Sequence, residues 1–362
     1  MALRLLSIQD LRNIQSTTFT PSERLNLILG PNGSGKTSVL EAIYLLGRGK
    51  SFRSAYSRRI VRHEQPSLTV FGKVESTGQS PSALGIQIKE GKFRAKINGQ
   101  IEKKSSNLAA LLPLLLISPD ADKLVKGSPR QRRRFIDWGL FHVEQEFLPT
   151  WQRYNRVLLQ RNAALRQKNV SLLDSWNDQL IDAAVSLDQF RREYLKPLVE
   201  KTQSFLSELL EIDPCSFKYL PGWPGKQEYR VALLSNIDSD IKAGFTQRGP
   251  HRADLSIRVS DRQAAEVLSG GQQKLAACAL LLAQASVFAL STKERCVILV
   301  DDLPAELDVR HRAKFMDLLY SIGGQVFVTA TDPQLLDISA YIEKQTFHVE
   351  HGAVAAEKAD GN

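Results

Sequence analysis

Residues 24–47 read "RLNLILGPNGSGKTSVLEAIYLLG". A short apolar run ends at Gly30, a glycine-rich turn follows, and a helical pattern runs from Lys36 to the closing Gly47. Strand, glycine-rich turn and helix in that order open an α/β fold. Within the stretch, "GPNGSGKT" (30–37) fits G-x-x-x-x-G-K-[S/T] at every fixed position. Gly30, Gly33 and Gly35, with Pro31, Asn32 and Ser34 between them, let the backbone wrap tightly and aim N–H groups at a phosphate chain. The helix N-terminus adds the positive end of its dipole. Lys36 is expected to reach the β- and γ-phosphates, and the Thr37 hydroxyl to ligate Mg²⁺.

Two later stretches bear on the same chemistry. "VILVDD" (297–302) is an apolar strand ending in two carboxylates. At a strand's C-terminal end, beside a phosphate loop, Asp301 is expected to hold Mg²⁺. Asp302, next along, is expected to orient or deprotonate the attacking water. "LSGGQQK" (268–274) precedes the long apolar run "LAACALLLAQASVFAL", as if a buried helix began at an anion site. It has no Lys-Thr pair with which to hold a metal.

Outward from these motifs, "LRLLSIQDL" alternates like a strand. "LTVFGKVES", "ALGIQIKE" and "KFRAKING" are β-like segments joined by Gly, Ser and Asn turns, which predicts antiparallel hairpins. The middle of the chain changes period. Trp151, Tyr154, Leu158 and Leu165 recur at helical spacing, as do Leu173, Trp176, Leu180, Ala183, Leu187 and Tyr194. With "KNVS" between them, these predict an antiparallel helical hairpin of roughly 22 residues per helix. Pro197 is expected to kink the second helix or start a third. "PCSFKYLPGWPGKQ" ends the helical region. "DLSIRV", "CVILV", a helix near 309–321 and "QVFVTA" then return to α/β character. The expected organisation is a split α/β head, 1–117 and 246–362, with a helical arm at 118–245. No internal repeat is visible.

The length of 362 residues suits two domains or one large domain with an insertion, and 43% apolar with 24% charged residues is ordinary for a globular chain. Cys215, Cys278 and Cys296 are far apart and lack C-x-x-C or histidine partners. This argues against a zinc site or disulfide framework and for a reducing compartment. The N-terminus is too charged for a signal peptide. The longest apolar stretch, 275–290, falls short of the ~20 residues a bilayer requires; a cytoplasmic chain without membrane contact is expected. Net charge is +9, but the runs at 47–62, 123–134 and 153–168 together carry +17 and contain no acid, leaving −8 elsewhere. Such concentration points to a polyanionic partner.

"GPNGSGKT", "LSGGQQK" and "VILVDDLPAELD", in that order, resemble the ABC-type ATPases. Within them the chain is similar to the RecF family of bacterial recombination and gap-repair ATPases. The resemblance rests on "LRNI" (11–14), "GPNGSGKTSVLEAIYLLGRGKSFRS" (30–54), "SPRQRRRFIDWGLFH" (128–142), "QRNAALRQ" (160–167) and "GPHRADL" (249–255), and spans essentially the whole chain. It implies an ABC-type head that dimerises around two ATP molecules, with Mg²⁺ at each. Residues 30–37 would bind ATP in their own subunit. Ser269, Gly270, Gly271 and Gln272 would cap the partner's nucleotide, Ser269 and Gly271 at its γ-phosphate, and Leu307–Asp308 would be the D-loop.

The same resemblance implies a weak, DNA-stimulated ATPase that acts as a switch on gapped, single-stranded or duplex DNA. RecO and RecR are its implied partners, with RecA loaded at gaps bound by single-strand binding protein. The basic candidates for DNA contact are Arg48, Lys50 and Arg53 after the first helix, Arg130, Arg132, Arg133 and Arg134 at the arm root, and Arg153 and Arg156 along the arm. Arg161 and Arg166 lie on the same arm helix. His251 and Arg252 read equally as site neighbours or as a structural pair. The chain departs from the ABC pattern in three places. Asp302 stands where glutamate is usual, no glutamine follows the strand in "LLLISPDADKL", and Ala330 and Thr331 replace the late histidine. The first implies slow turnover; the other two leave water positioning and γ-phosphate sensing unassigned. Two other readings fit an ABC head: a transporter's nucleotide-binding subunit and an SMC-like chromosome tether. The basic runs oppose the first, and an arm of ~35 Å at 1.5 Å per residue opposes the second.

Overall fold

The computed structural model describes residues 1–76, 78, 80–212, 214–302, 306–332, 336 and 341–357. Its strands are β1 (Ala2–Leu11), β2 (Ile14–Phe19), β3 (Leu25–Leu29), β4 (Ser67–Glu75), β5 (Ser82–Lys89), β6 (Lys92–Ile97), β7 (Gln100–Glu102), β8 (Leu114–Ile117), β9 (Cys215–Leu220), β10 (Asp254–Val259), β11 (Arg262–Gln263), β12 (Val297–Val300), β13 (Val326–Ala330), β14 (Lys344–Glu350) and β15 (Ala353–Ala356). Its helices are α1 (Lys36–Arg48), α2 (Ser105–Leu111), α3 (Lys123–Lys126), α4 (Pro129–Val143), α5 (Phe147–Arg166), α6 (Leu173–Leu209), α7 (Tyr229–Leu234), α8 (Ile237–Ala243), α9 (Ala264–Val267), α10 (Gly270–Thr292) and α11 (Val309–Ile322). The chain divides into two compact units, 1–121 with 288–362, and 122–287.

In the first unit one sheet runs β15-β14-β3-β13-β12-β8. β14, β3, β13, β12 and β8 are mutually parallel, and β15 closes one edge antiparallel. β3, β12 and β13 are buried at every residue, the pattern of strands covered on both faces. The expected hairpins form a second sheet, β2-β1-β4-β5-β6-β7, antiparallel throughout. β4 and β5 alternate buried residues with more exposed ones, so one face is apolar. Val39, Leu40, Ile43 and Leu46 of α1 share a single core with Leu6, Ile8, Val70 and Ile86 of that face and with Leu299, Phe327 and Phe347 of the parallel sheet. At ~1.5–3 kcal/mol for each fully buried aliphatic side chain, this packing holds α1, and the loop before it, against both sheets.

In the second unit α5 and α6 form the expected hairpin. Arg161 meets Asn177, and eight residues earlier Arg153 faces Asp182, the pairing of antiparallel helices. The buried seam of α5 is Tyr154, Val157, Arg161, Ala164 and Leu165, while Trp151 is 39% exposed. α6 is 37 residues long and contains Pro197, so the chain neither breaks there nor starts a third helix. Tyr194, Leu195, Leu198, Phe205 and Leu206 flank the proline and stay buried. Their packing outweighs the ~3 kcal/mol that an interior proline costs.

The strand at 254–259 joins neither large sheet. β10 pairs with β9 and β11 in a three-stranded antiparallel sheet. The compact-unit boundary therefore falls at residue 288 rather than at 246, because 246–287 pack with the helices. α10 is longer than the apolar stretch that announces it, with 23 residues starting at the glycine pair. Most of it is buried in the protein.

Candidate nucleotide site

The phosphate loop bridges the end of β3 and the start of α1. Gly30 has φ +156°, and a Cβ there would lie 2.3 Å from the carbonyl oxygen of Val349, so only glycine fits beneath β14. Gly35, at φ +123°, lies against Asn13. Asn13 Nδ2 donates to the carbonyls of Ser34 (2.7 Å) and Gly33 (3.2 Å), and Ser38 Oγ donates to Asn13 Oδ1 (3.2 Å). From the other side the N–H of Gly352 donates to the Ser34 carbonyl at 2.8 Å. The loop is thus clamped between the β1–β2 turn and the β14–β15 turn. Lys36 is buried, and its Nζ donates to the carbonyls of Gly30 (2.9 Å) and Pro31 (3.2 Å).

The parallel register of β12 with β8 and β13 carries Asp301 to the same end of the sheet. Thr37 Oγ1 donates to Asp301 Oδ1 at 2.9 Å. Thr329, at the end of β13, donates to the same oxygen at 3.1 Å, and its Oγ1 accepts the N–H of Asp302 at 2.8 Å. Burial raises the Asp301 pKa above its ordinary value, opposed by the Thr37 and Thr329 hydrogen bonds; the Asp302 charge raises it further and Arg53 lowers it. Asp302 has φ +52°, the left-handed region that aspartate tolerates better than most residues. Ser34 Oγ and Asp302 Oδ1 are buried with no hydrogen-bond partner among the described residues. Two oxygen donors in contact at Thr37 and Asp301, beside unsatisfied polar atoms, fit a hard cation completed by phosphate and water oxygens. No cluster of three or more His, Cys, Asp or Glu side chains able to hold a metal forms among the described residues.

Arg12, Asn13, Glu41 and Thr329 were not singled out as site residues in the sequence. Glu41 is fully buried on α1 and takes both Arg12 Nε and Nη2 at 2.9 Å. Ser51 Oγ also donates to Glu41 and accepts the N–H groups of Arg53 and Ser54 at 2.9 Å. This chain ties the loop carrying Arg53 to the phosphate-loop helix. A lone acid inside "KTSVLEAIYLLG" was the available signal. Residues 303–305, ahead of the expected D-loop at Leu307–Asp308, lie outside the described residues. Asp308 caps α11 by accepting the N–H of His311 at 3.0 Å.

The second glycine motif belongs to the second unit, so Ser269–Gln272 and the phosphate loop lie in different units. Ser269 and Gln272 cap α10 reciprocally: Ser269 N–H donates to Gln272 Oε1 (2.9 Å) and Gln272 N–H to Ser269 Oγ (3.3 Å). Gly270 and Gly271 are exposed, with nothing within 4 Å of a would-be Cβ. Gln273 anchors the turn, donating to the carbonyls of Leu268 and Ala265.

The basic candidates separate by burial. Arg53, Arg130, Arg134, Arg153 and Arg156 are exposed, as is Lys50, and Arg48 is half-buried. Arg132 is withdrawn as a nucleic-acid contact: it is buried and bidentate to Asp254 at 2.7 and 3.0 Å. Arg133 is half-buried and donates to the Ala253 carbonyl; burial lowers its pKa. Arg161 is fully buried and pairs with Asp240 at 2.9 Å. Arg166 is exposed. His251 is a structural residue, held by Tyr154 Oη at 2.6 Å and the Thr246 carbonyl at 3.0 Å.

The family described as RecF/RecN/SMC N terminal domain matches residues 2–353. The chain is 43% identical over 359 residues to the DNA replication and repair protein RecF of Pseudomonas putida (strain GB-1), and the alignment covers 98% of each. It is 44% identical over 363 aligned positions to that of Pseudomonas aeruginosa (strain LESB58), again with 98% coverage of each. Among solved structures, the recombination mediator protein RecF with ATP, of the RecFOR pathway, matches with a TM-score of 0.86 at 26% identity, covering 98% of this chain and 97% of that one. An Smc head bound to the C-winged helix domain of ScpA matches with a TM-score of 0.63 at 16% identity, a likeness of fold alone. Phosphate loop, paired strand-end aspartates and a match along nearly the whole length agree: the chain belongs to the RecF family of DNA replication and repair proteins.

Proposed function

We propose that this chain is an ATP-operated clamp on DNA, in which two copies close when each holds a nucleotide and slow hydrolysis releases them. The observation that carries the reading is the Thr37–Asp301 hydrogen bond of 2.9 Å, which joins the phosphate-loop helix to the carboxylate strand. Its support from relatives is the solved recombination mediator with ATP.

Residues 30–37 wrap the triphosphate with backbone N–H groups. Lys36 exchanges the Gly30 and Pro31 carbonyls for phosphate oxygens, a stronger charge-assisted contact. Thr37 and Asp301 would hold the cation, Mg²⁺, which when bound would supply charge neutralisation to the phosphates. Asp302 orients and deprotonates water; being shorter than glutamate, it reaches less far, and turnover is slow. Ser269, Gly270, Gly271 and Gln272 cap the nucleotide of the other copy. The open space around the two glycines supports this, since a phosphate must approach the backbone there. In functional terms 1–117 and 246–362 act as the head and 118–245 as the arm, with α10 carrying the signature turn.

The exposed Arg48, Lys50, Arg53, Arg130, Arg134, Arg153 and Arg156 supply backbone contacts to gapped, single-stranded or duplex DNA without sequence readout. RecO and RecR are the proposed partners, in line with the pathway of the solved relative. Buried thiols at Cys215, Cys278 and Cys296 suit a reducing, cytoplasmic setting. Sedimentation with gapped, duplex and single-stranded DNA, with and without ATP, tests the reading. A dimer that forms on DNA with ATP and is lost in Lys36→Met is expected; an ATP-independent monomer on every DNA would sink it.

A further inference from the structure

Among the described residues, the outer face of the antiparallel sheet carries a row of cations that none of the three basic runs includes. In β6, Ala95 is buried, while Lys92, Arg94 and Lys96 are exposed and share the opposite face. The register continues that face across the sheet. Arg94 lies opposite Gln87 and Lys96 opposite Gly85; Gln87 then faces Thr69 and Gly85 faces Phe71. Lys89, opposite Lys92, extends the row.

The acids nearby do not neutralise it. Glu75 on the same face is occupied by Arg4, and no ion pair joins Glu90, in the hairpin turn, to the row among the described residues. No ion pair or hydrogen bond engages the side chains of Lys92, Arg94 or Lys96 among the described residues. Lysines often guard an edge strand against pairing, but β7 covers β6 along 95–97, so edge protection does not account for Lys96. Only the hairpin end of the row meets the basic run at 47–62: a Cβ on Gly91, next to Lys92, would lie 3.1 Å from Arg58 Cγ.

We propose that Lys92, Arg94 and Lys96 form a further surface for the sugar-phosphate backbone of nucleic acid, with Arg58 of the run after α1 at its hairpin end. The inference rests on the DNA-binding reading above. Alternate strand residues stand ~6.8 Å apart, so the three cations lie in line and can each meet a separate phosphate of one strand. A protein partner would seek a desolvated aromatic or apolar anchor. Ile101, opposite Lys96 at the rim and 71% exposed, is the one large hydrophobic side chain among the described residues of this face that is mostly exposed.

The test compares the parent chain with K92Q/R94Q/K96Q, measuring anisotropy of a labelled gapped duplex with ATP between about 50 and 200 mM salt. The variant is expected to bind at least about tenfold more weakly at the lower salt. Its plot of log affinity against log salt should be shallower by about 2.7, which is ~0.9 for each of the phosphates the variant no longer neutralises. K92R/K96R should keep both properties, and binding of a fluorescent ATP analogue by the triple variant reports an intact fold. A parent that binds steeply with salt, alongside a folded triple variant of equal affinity and slope, overturns this surface and leaves the DNA reading standing. Loss of binding to an acidic protein with DNA binding intact also overturns it. A parent that binds no DNA sinks both.

Discussion

Thr37 Oγ1 donates to Asp301 Oδ1 at 2.9 Å across 264 residues of sequence, and Thr329 donates to the same oxygen. One carboxylate thus meets the first turn of α1 and the neighbouring strand. Thr329→Val removes the second donor and leaves the part-buried N–H of Asp302 without its acceptor. Mg²⁺ affinity in the presence of ATP should fall about 10–100-fold, and stability by ~1–3 kcal/mol. Titration of Mg²⁺ against a fluorescent ATP analogue, with thermal unfolding alongside, measures both; parent-like Mg²⁺ dependence would contradict the role given to Asp301.

Asp302 sits at φ +52°, a conformation asparagine adopts as readily as aspartate. Asp302→Asn should therefore keep the backbone and lose only the charge. Hydrolysis should drop by about 10²-fold or more, with the ATP-bound dimer persisting on DNA. Dissociation as fast as that of the parent, followed after ATP is diluted away, would remove Asp302 from the hydrolytic role.

Ser269 and Gln272 cap α10 through reciprocal hydrogen bonds, and the adjacent glycines are open. Ser269→Arg fills that space and costs about 1 kcal/mol of capping. The variant should bind ATP with parent-like affinity and fail to dimerise. Light scattering with ATP decides the matter, and a full-sized dimer would refute the capping of one copy's nucleotide by the other.

Arg12 neutralises the fully buried Glu41. Arg12→Ala leaves that carboxylate uncompensated, and breaking such a pair costs ~3–5 kcal/mol. The double variant R12A/E41Q should recover much of the loss. Denaturant unfolding of parent, single and double variants gives the comparison; equal midpoints in all three would show that the pair is idle.

Burial pushes the His251 imidazole down to about 4, below the ordinary ~6.5 of the unfolded chain. The unfolded state then binds the extra proton first. His251 contributes stability that is present above pH ~6.5 and is lost as pH falls towards 4, on the order of 1.4 kcal/mol per unit of pH crossed. His251→Gln should flatten this part of the stability–pH profile; an unchanged profile would exclude His251 as its origin.

The sites differ in how far they could be read before folding. Gly30 to Thr37 declare themselves because a phosphate loop is made by contiguous backbone, and its residue types are set by what neighbours within eight positions must do. Asp301 and Asp302 were legible as the end of an apolar strand. Asn13 was not, because its role is to grip two carbonyls about twenty positions away. Arg132 and Arg161 read as members of basic runs, yet each is buried against a carboxylate, 122 and 79 positions distant respectively. The row at Lys92, Arg94 and Lys96 was hidden for a related reason. Its three charges are interleaved with Phe93, Ala95 and Ile97, and only the pleat separates them onto one face.

By itself, the sequence determined the α/β class, the phosphate loop, the strand-end aspartates, the antiparallel hairpins and the helical arm. Each of these is specified by local spacing, which the period of a strand or helix converts directly into geometry. Tertiary structure alone decided that β10 pairs with β9, that α6 runs through Pro197, and which arginines are free to meet a phosphate. Those outcomes depend on the burial of residues far apart in the chain, and a charge becomes structural only when folding brings it a partner.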